Sequence, residues 1–197
     1  MIQVWMGFIM RSCLKNKTVI LILFFSLTIE SVWADEFKAA VHNVIVMPEN
    51  KYYKLSADIK YYLSPIAKEA LYKGISLSWI VKVKIQQKGA IWDTTLEELE
   101  MGYQIQRHAL LNLYSVKNLN DGTKNMFTTL TAALASISKI RYLSIIEKSL
   151  IAADENYQIA IKVLFDREAL PVPLRPMSYF NSEWALSSQW SLWQLQK

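Results

Sequence analysis

Residues 77–86 read LSWIVKVKIQ, and their alternation sets the architecture. Leu77, Trp79, Val81, Val83 and Ile85 share one face, while Ser78, Lys82, Lys84 and Gln86 take the other. Period two over ten residues is the pattern of a strand with one side buried. The same reading applies to residues 54–63, where Leu55, Ala57, Ile59, Tyr61 and Leu63 align against Lys54, Ser56, Asp58 and Lys60. It applies again to residues 157–166 through Tyr157, Ile159, Ile161, Val163 and Phe165. Residues 40–47 and 99–117 also read as strands, with a change of phase near Asn112 that implies a bulge or turn.

Two helices are expected among these strands. Ser64 is an N-cap, Pro65 occupies the first helical position, and Gly74 follows the last turn near residue 73. About nine residues make a poor parallel crossover, so the flanking strands are expected to be antiparallel. A second helix is expected from about Thr129 to Arg141, because Phe127, Leu130, Leu134 and Ile137 recur at helical spacing. Asp121 and Gly122 mark a turn before it. The fold class is therefore α+β, predominantly antiparallel β in a sheet or sandwich, with two helices packed on it.

The first 34 residues have a different character. Arg11, Lys15 and Lys17 precede an uncharged, mostly apolar run over residues 18–29, followed by Val32 and Ala34 at the −3 and −1 positions of a cleavage site. The run is too short for a bilayer span of about 20 residues. Residues 1–34 are thus expected to be a signal peptide cut between Ala34 and Asp35, with Met10 as the more ordinary start than Met1. Residues 35–197 would form one domain in the periplasm, with no integral membrane segment after processing. Cys13, the sole cysteine, lies in the leader, so the mature domain must be stabilised without a disulfide. The formal charge of +5 falls once the basic leader is set aside, and the remaining balance does not suggest nucleic acid as a partner.

Catalytic chemistry is poorly supplied. His42 and His108 are the two histidines, and neither stands in a metal-ligand spacing. Residues 118–122 resemble a calcium loop only faintly, because Lys117 would occupy the first ligand position. Glycines are isolated, which removes phosphate-cradling loops, and no G-x-S-x-G elbow occurs. Glu97, Glu98 and Glu100 read as a solvated strand face. No cofactor and no catalytic residue is assigned.

From residue 169 the composition shifts. Pro171, Pro173 and Pro176 remove backbone donors and favour extended neighbours, so residues 169–197 are expected to form an extended proline- and tryptophan-rich strap. Trp184, Leu186, Ser188, Trp190 and Leu192 alternate with polar partners, and Trp193 points the other way. Trp184 and Trp190 are therefore expected to close the core, as Trp79 and Trp92 fit the sheet and the strand end after it. Trp193 and the neighbouring Arg175 are the candidate interaction surface, since tryptophan and arginine are favoured at interfaces.

The segments YQIQRHALLNLYSV (103–116), FTTLTAALASI (127–137) and FDREALPVPLRPMSYFNSEWALSSQW (165–190) carry a resemblance. In order and spacing they are similar to an uncharacterised family of proteobacterial exported proteins, a domain of unknown function sometimes labelled "proline-rich signal peptide protein". The most specific part is the C-terminal block, here Leu170, Pro171, Pro173, Leu174, Arg175, Tyr179, Trp184, Leu186, Ser188 and Trp190. The resemblance implies a periplasmic protein without assigned activity, often encoded beside a membrane sensor kinase of the nitrogen-regulation type. It carries over no catalytic residue. The expected function is a non-enzymatic binding or interaction module, with an envelope or membrane sensor protein as a possible partner. The alternative is a hydrolase whose serine, histidine and acid site is not advertised by a motif, built around His108 and the acidic run. A third reading, a structural protein held peripherally at a membrane, would need an exposed apolar patch flanked by lysines, and neither expected helix has such a face.

Overall fold

The computed structural model describes residues 38–196; the leader, its cleavage site at Ala34 and Asp35, and the choice between Met1 and Met10 lie outside them. The alternating segments form strands for the reason read above: each can bury one row of side chains while the other stays wet. The elements run β1 (Ala40–Glu49), β2 (Tyr52–Lys60), α1 (Pro65–Tyr72), β3 (Leu77–Gln87), β4 (Thr94–His108), β5 (Leu113–Asn118) and β6 (Lys124–Phe127). They continue with α2 (Leu130–Ile137), β7 (Lys139–Glu147), β8 (Tyr157–Phe165), α3 (Leu174–Phe180) and β9 (Ser191–Gln194). Short 3₁₀ turns occur at Lys148–Leu150 and Ser182–Trp184.

Every pairing is antiparallel, in two sheets: β1-β2-β7 and β6-β5-β4-β3-β8-β9. Leu55, Ala57 and Ile59 of the small sheet and Leu77, Trp79, Val81, Val83 and Ile85 of the large one enter a single core. Trp79 is the largest fully buried side chain. Tyr61, just past the end of β2, meets its ring edge-on at 5.5 Å, and Phe165 of the neighbouring strand β8 meets it at 5.5 Å. The row ends on Trp184, stacked on Phe165 at 5.9 Å. The indole Nε1 of Trp79 has no partner among the described residues.

Helix α1 forms as its caps direct. The Ser64 hydroxyl accepts the Ala67 N–H at 3.1 Å, and Gly74 takes φ +85° to release the chain. The strands that flank α1 do not pair, however: β2 and β3 belong to different sheets, so the short helix is a bridge between layers. Asn112, at φ +49°, turns β4 into β5. Asp121 Oδ1 accepts the Thr123 N–H at 2.8 Å and holds the turn before β6.

Three expectations are corrected. Helix α2 stops at Ile137, not near Arg141, because Ser138 O accepts the Ile59 N–H at 2.8 Å and the following residues pair with β2. Residues 139–147 are rich in isoleucine, and gaining a ladder outweighs prolonging a helix. The proline stretch is not extended throughout. Pro173 has φ −65° and ψ −24°, already helical, and Pro176 falls in the first turn of α3, where no intrahelical N–H is required. The described residues thus hold three helices, not two. Finally, Trp92 is 81% exposed at the β3–β4 turn and closes no core.

Candidate functional site

The C-terminal block does two jobs, and the structure separates them. Most of its residues fasten the chain end to β8. Leu170, Trp184 and Leu186 are buried in the core. The Arg175 Nε donates to Leu170 O at 2.8 Å, and its Nη1 lies 3.7 Å from Glu168 Oε2. The Tyr179 hydroxyl donates to Glu168 Oε1 at 2.5 Å, under the Arg167 guanidinium at 5.0 Å from the ring. That bond to a carboxylate holds the Tyr179 phenol above its ordinary pKa, because ionising it would set two anions together. Arg175 is therefore a fastening for α3, with its guanidinium partly occupied.

Beyond Ser188 the phase of the strap changes. Trp184, Leu186 and Ser188 point inward, but β9 pairs Ile161 with Ser191 and Ile159 with Trp193. One residue is slipped near Gln189, whose carbonyl accepts the Ser188 hydroxyl at 2.8 Å. A single slip exchanges the two faces of everything that follows. Trp193 is consequently half-buried against the core, whereas Trp190 is 40% exposed and Leu192 58% exposed. This reverses the faces expected for Trp190 and Trp193.

Trp190 lies on the outer face of the large sheet between two lysines. Lys84 Nζ of β3 is 5.5 Å from its ring centroid and Lys162 Nζ of β8 is 5.7 Å away. Their cations face the π system from neighbouring strands, a contact worth about 0.5–1 kcal/mol at exposed sites. Farther along, Lys84 pairs with Glu98 at 3.2 Å and Lys82 pairs with Glu100. The outer face thus carries an acidic row on β4, a basic row on β3 and β8, and an aromatic and aliphatic row on the strap. Lys162 also borders a cavity of about 420 Å³ lined by Asp166, Arg167, Glu168, Tyr179 and Ser187 among others. Patch and cavity are contiguous through that lysine. In sequence, Lys84 reads as a polar strand position; its convergence with Lys162 on Trp190 depends on the slip, which the alternation does not show.

His108 has one feature relevant to hydrolysis. Its Nε2 lies 2.9 Å from Ser115 Oγ. Ser115 is only 3% exposed and its hydroxyl also reaches Gln106 O at 3.5 Å. No carboxylate completes the pair among the described residues, and neither described cavity is lined by His108 or Ser115. Nucleophile, base and substrate space do not come together there. His42 is exposed on β1, in a different sheet from Ser115. Among the described residues no group of three or more His, Cys, Asp or Glu side chains is placed to hold a metal ion. None of the described helices is long and apolar enough to cross a membrane.

A family model described as "Domain of unknown function (DUF4390)" matches residues 37–194. No curated protein and no solved structure matches the chain.

Proposed function

Because the chain belongs to the family of the domain of unknown function DUF4390, its role has to be argued from its surface, and we propose a non-enzymatic interaction module. It is exported to the periplasm by the N-terminal leader and docks an envelope protein through the outer face of the large sheet. The observation that carries this reading is Trp190, exposed between Lys84 and Lys162 and continued by Leu192. A large amphipathic ring held at low entropic cost, with cations beside it, is the composition of an interface hot spot. Isolated exposed apolar residues are ordinary; an aromatic ring held between two lysines on a sheet face is what supports the docking reading. The partner that suits it has an apolar pocket rimmed by acidic groups. A membrane sensor with a periplasmic domain is the partner class implied by the resemblance of the C-terminal block.

The test is crosslinking in cells followed by affinity purification of the tagged full-length chain. Wild type should recover one envelope protein that Trp190→Ala loses and that Trp193→Phe retains. Equal recovery by Trp190→Ala would overturn the assignment of this face. Fractionation of the same cells should release the processed chain with the periplasmic contents, and a cytoplasmic pool would refute export.

A further inference from the structure

The small sheet carries a second concavity, unrelated to the strap. A cavity of about 720 Å³ opens where the ends of β1 and β2 meet α2 and the start of β7. That volume falls in the range of small-molecule sites, roughly 300–1,000 Å³. Its rim is cationic: Lys60 of β2 and Lys139 and Arg141 of β7 all line it, with His42 alongside. Its single acid is Asp58. Arg141 Nη2 holds the Asp58 carboxylate at 2.6 Å and Asn43 Nδ2 donates to it at 3.0 Å. The acid is engaged by Arg141 and Asn43, and Lys139, its cross-strand neighbour, also acts on it; one carboxylate against Lys60, Lys139 and Arg141 leaves the lining with a net positive charge. Among the described residues neither Lys60 nor Lys139 has an ion pair. Apolar surface is supplied to the same cavity by Leu134 and Ala135 of α2 and by Tyr61 and Tyr62.

From this pairing of a net cationic lining, with Lys60 outside any ion pair, and an apolar surface, we infer that the cavity binds an amphipathic anion. The lysines take a carboxylate, sulfonate or phosphate head, and the alkyl or aryl body lies along α2. A neutral body alone would leave the cations without a counter-charge, and a small inorganic anion would leave the apolar surface wet. The head group can come from a free amphiphile or from an anionic lipid in a bilayer. The inference is independent of the proposed docking face, which lies on the other sheet.

Calorimetric titration of the purified protein with decanoate, and with decyl maltoside as a neutral chain of equal length, tests it below their micelle concentrations. Flotation with phosphatidylglycerol and phosphatidylcholine vesicles distinguishes the two sources. Decanoate should bind the wild type, and decyl maltoside roughly tenfold more weakly. Joint Lys60→Glu and Lys139→Glu replacement should weaken decanoate by roughly tenfold or more. Ala135→Trp, at an exposed helical position that borders the cavity, should block it by filling the space while far-UV circular dichroism stays unchanged. Flotation with phosphatidylglycerol alone, lost in the charge reversal, would support the same head-group chemistry with a lipid source. Absence of binding to decanoate and to phosphatidylglycerol vesicles alike, equal binding of decyl maltoside and decanoate, or equal binding by the charge-reversed protein overturns the inference.

Discussion

Ser188 and Val163 hold each other twice: the Ser188 N–H donates to Val163 O at 2.8 Å, and the Ser188 hydroxyl accepts the Val163 N–H at 2.8 Å. A side chain here does the work of a ladder acceptor. The strap is about to slip by one residue, and at that point its backbone cannot satisfy β8 on its own. Ser187 repeats the device two residues along β8, accepting the Phe165 N–H at 2.9 Å.

Ser188→Ala removes that acceptor and leaves a buried N–H unpaired, which costs about 1–3 kcal/mol. Urea unfolding should show a lower midpoint with the slope unchanged. A midpoint within error of wild type would mean that water or a shifted strap replaces the hydroxyl.

The two motif tryptophans should behave oppositely. Trp184 is 3% exposed and stacks on Phe165, so Trp184→Ala should cost about 3–5 kcal/mol. Trp190→Ala should cost no more than about 1 kcal/mol, the scale of its lysine contacts. Thermal unfolding of both variants checks this, and comparable losses would place Trp190 in the core after all.

Gly89 and Gly122 provide a contrast in backbone tolerance. A Cβ on Gly89 would lie 2.0 Å from Trp92 O, inside the tight turn that displays Trp92. Asp93 anchors that turn, accepting from Gln158 Nε2 at 2.7 Å. Gly89→Ala should therefore destabilise by about 1–3 kcal/mol through backbone displacement. Gly122 has φ +77° and open space around it, so Gly122→Ala should cost only the left-handed penalty, about 1–2 kcal/mol. Chemical denaturation and the hydrogen-exchange rates of residues 88–93 distinguish the two effects.

Asp58 gives stability a dependence on acid. The Asn43 amide and then the Arg141 guanidinium hold its carboxyl below the ordinary aspartate value of 3.8. A depressed folded-state pKa contributes stability that is complete above the unfolded value and disappears as pH falls through the folded one. Asp58→Asn should therefore lower the urea midpoint at pH 7 and converge on wild type at the acid end. A constant difference across the acid limb would exclude ionisation of Asp58 as the source.

Local pattern carried much of the architecture. The alternation in residues 54–63, 77–86 and 157–166 placed β2, β3 and β8 with the correct inward rows, and Ser64, Pro65 and Gly74 bounded α1. These features depend on neighbours within a few residues, where side-chain period and capping chemistry act directly. The end of α2 was less legible, because helical spacing continued past the point at which Ser138 O found the Ile59 N–H. The candidate site was legible in part. The C-terminal block was recognisable as a unit, and Trp184 fitted the core, but Trp190 and Trp193 exchanged faces.

That exchange turns on contacts between residues far apart in the chain. Amino-acid order alone determined the antiparallel α+β character and the inward rows of its central strands. Pairing of Ser188 with Val163, the division of strands between two sheets and the meeting of Lys60, Lys139 and α2 around a cavity arose from long-range packing. An alternating strap has two equivalent phases when read in isolation. The unpaired edge of β8 selects one of them, because only there do the backbone groups of both segments find partners.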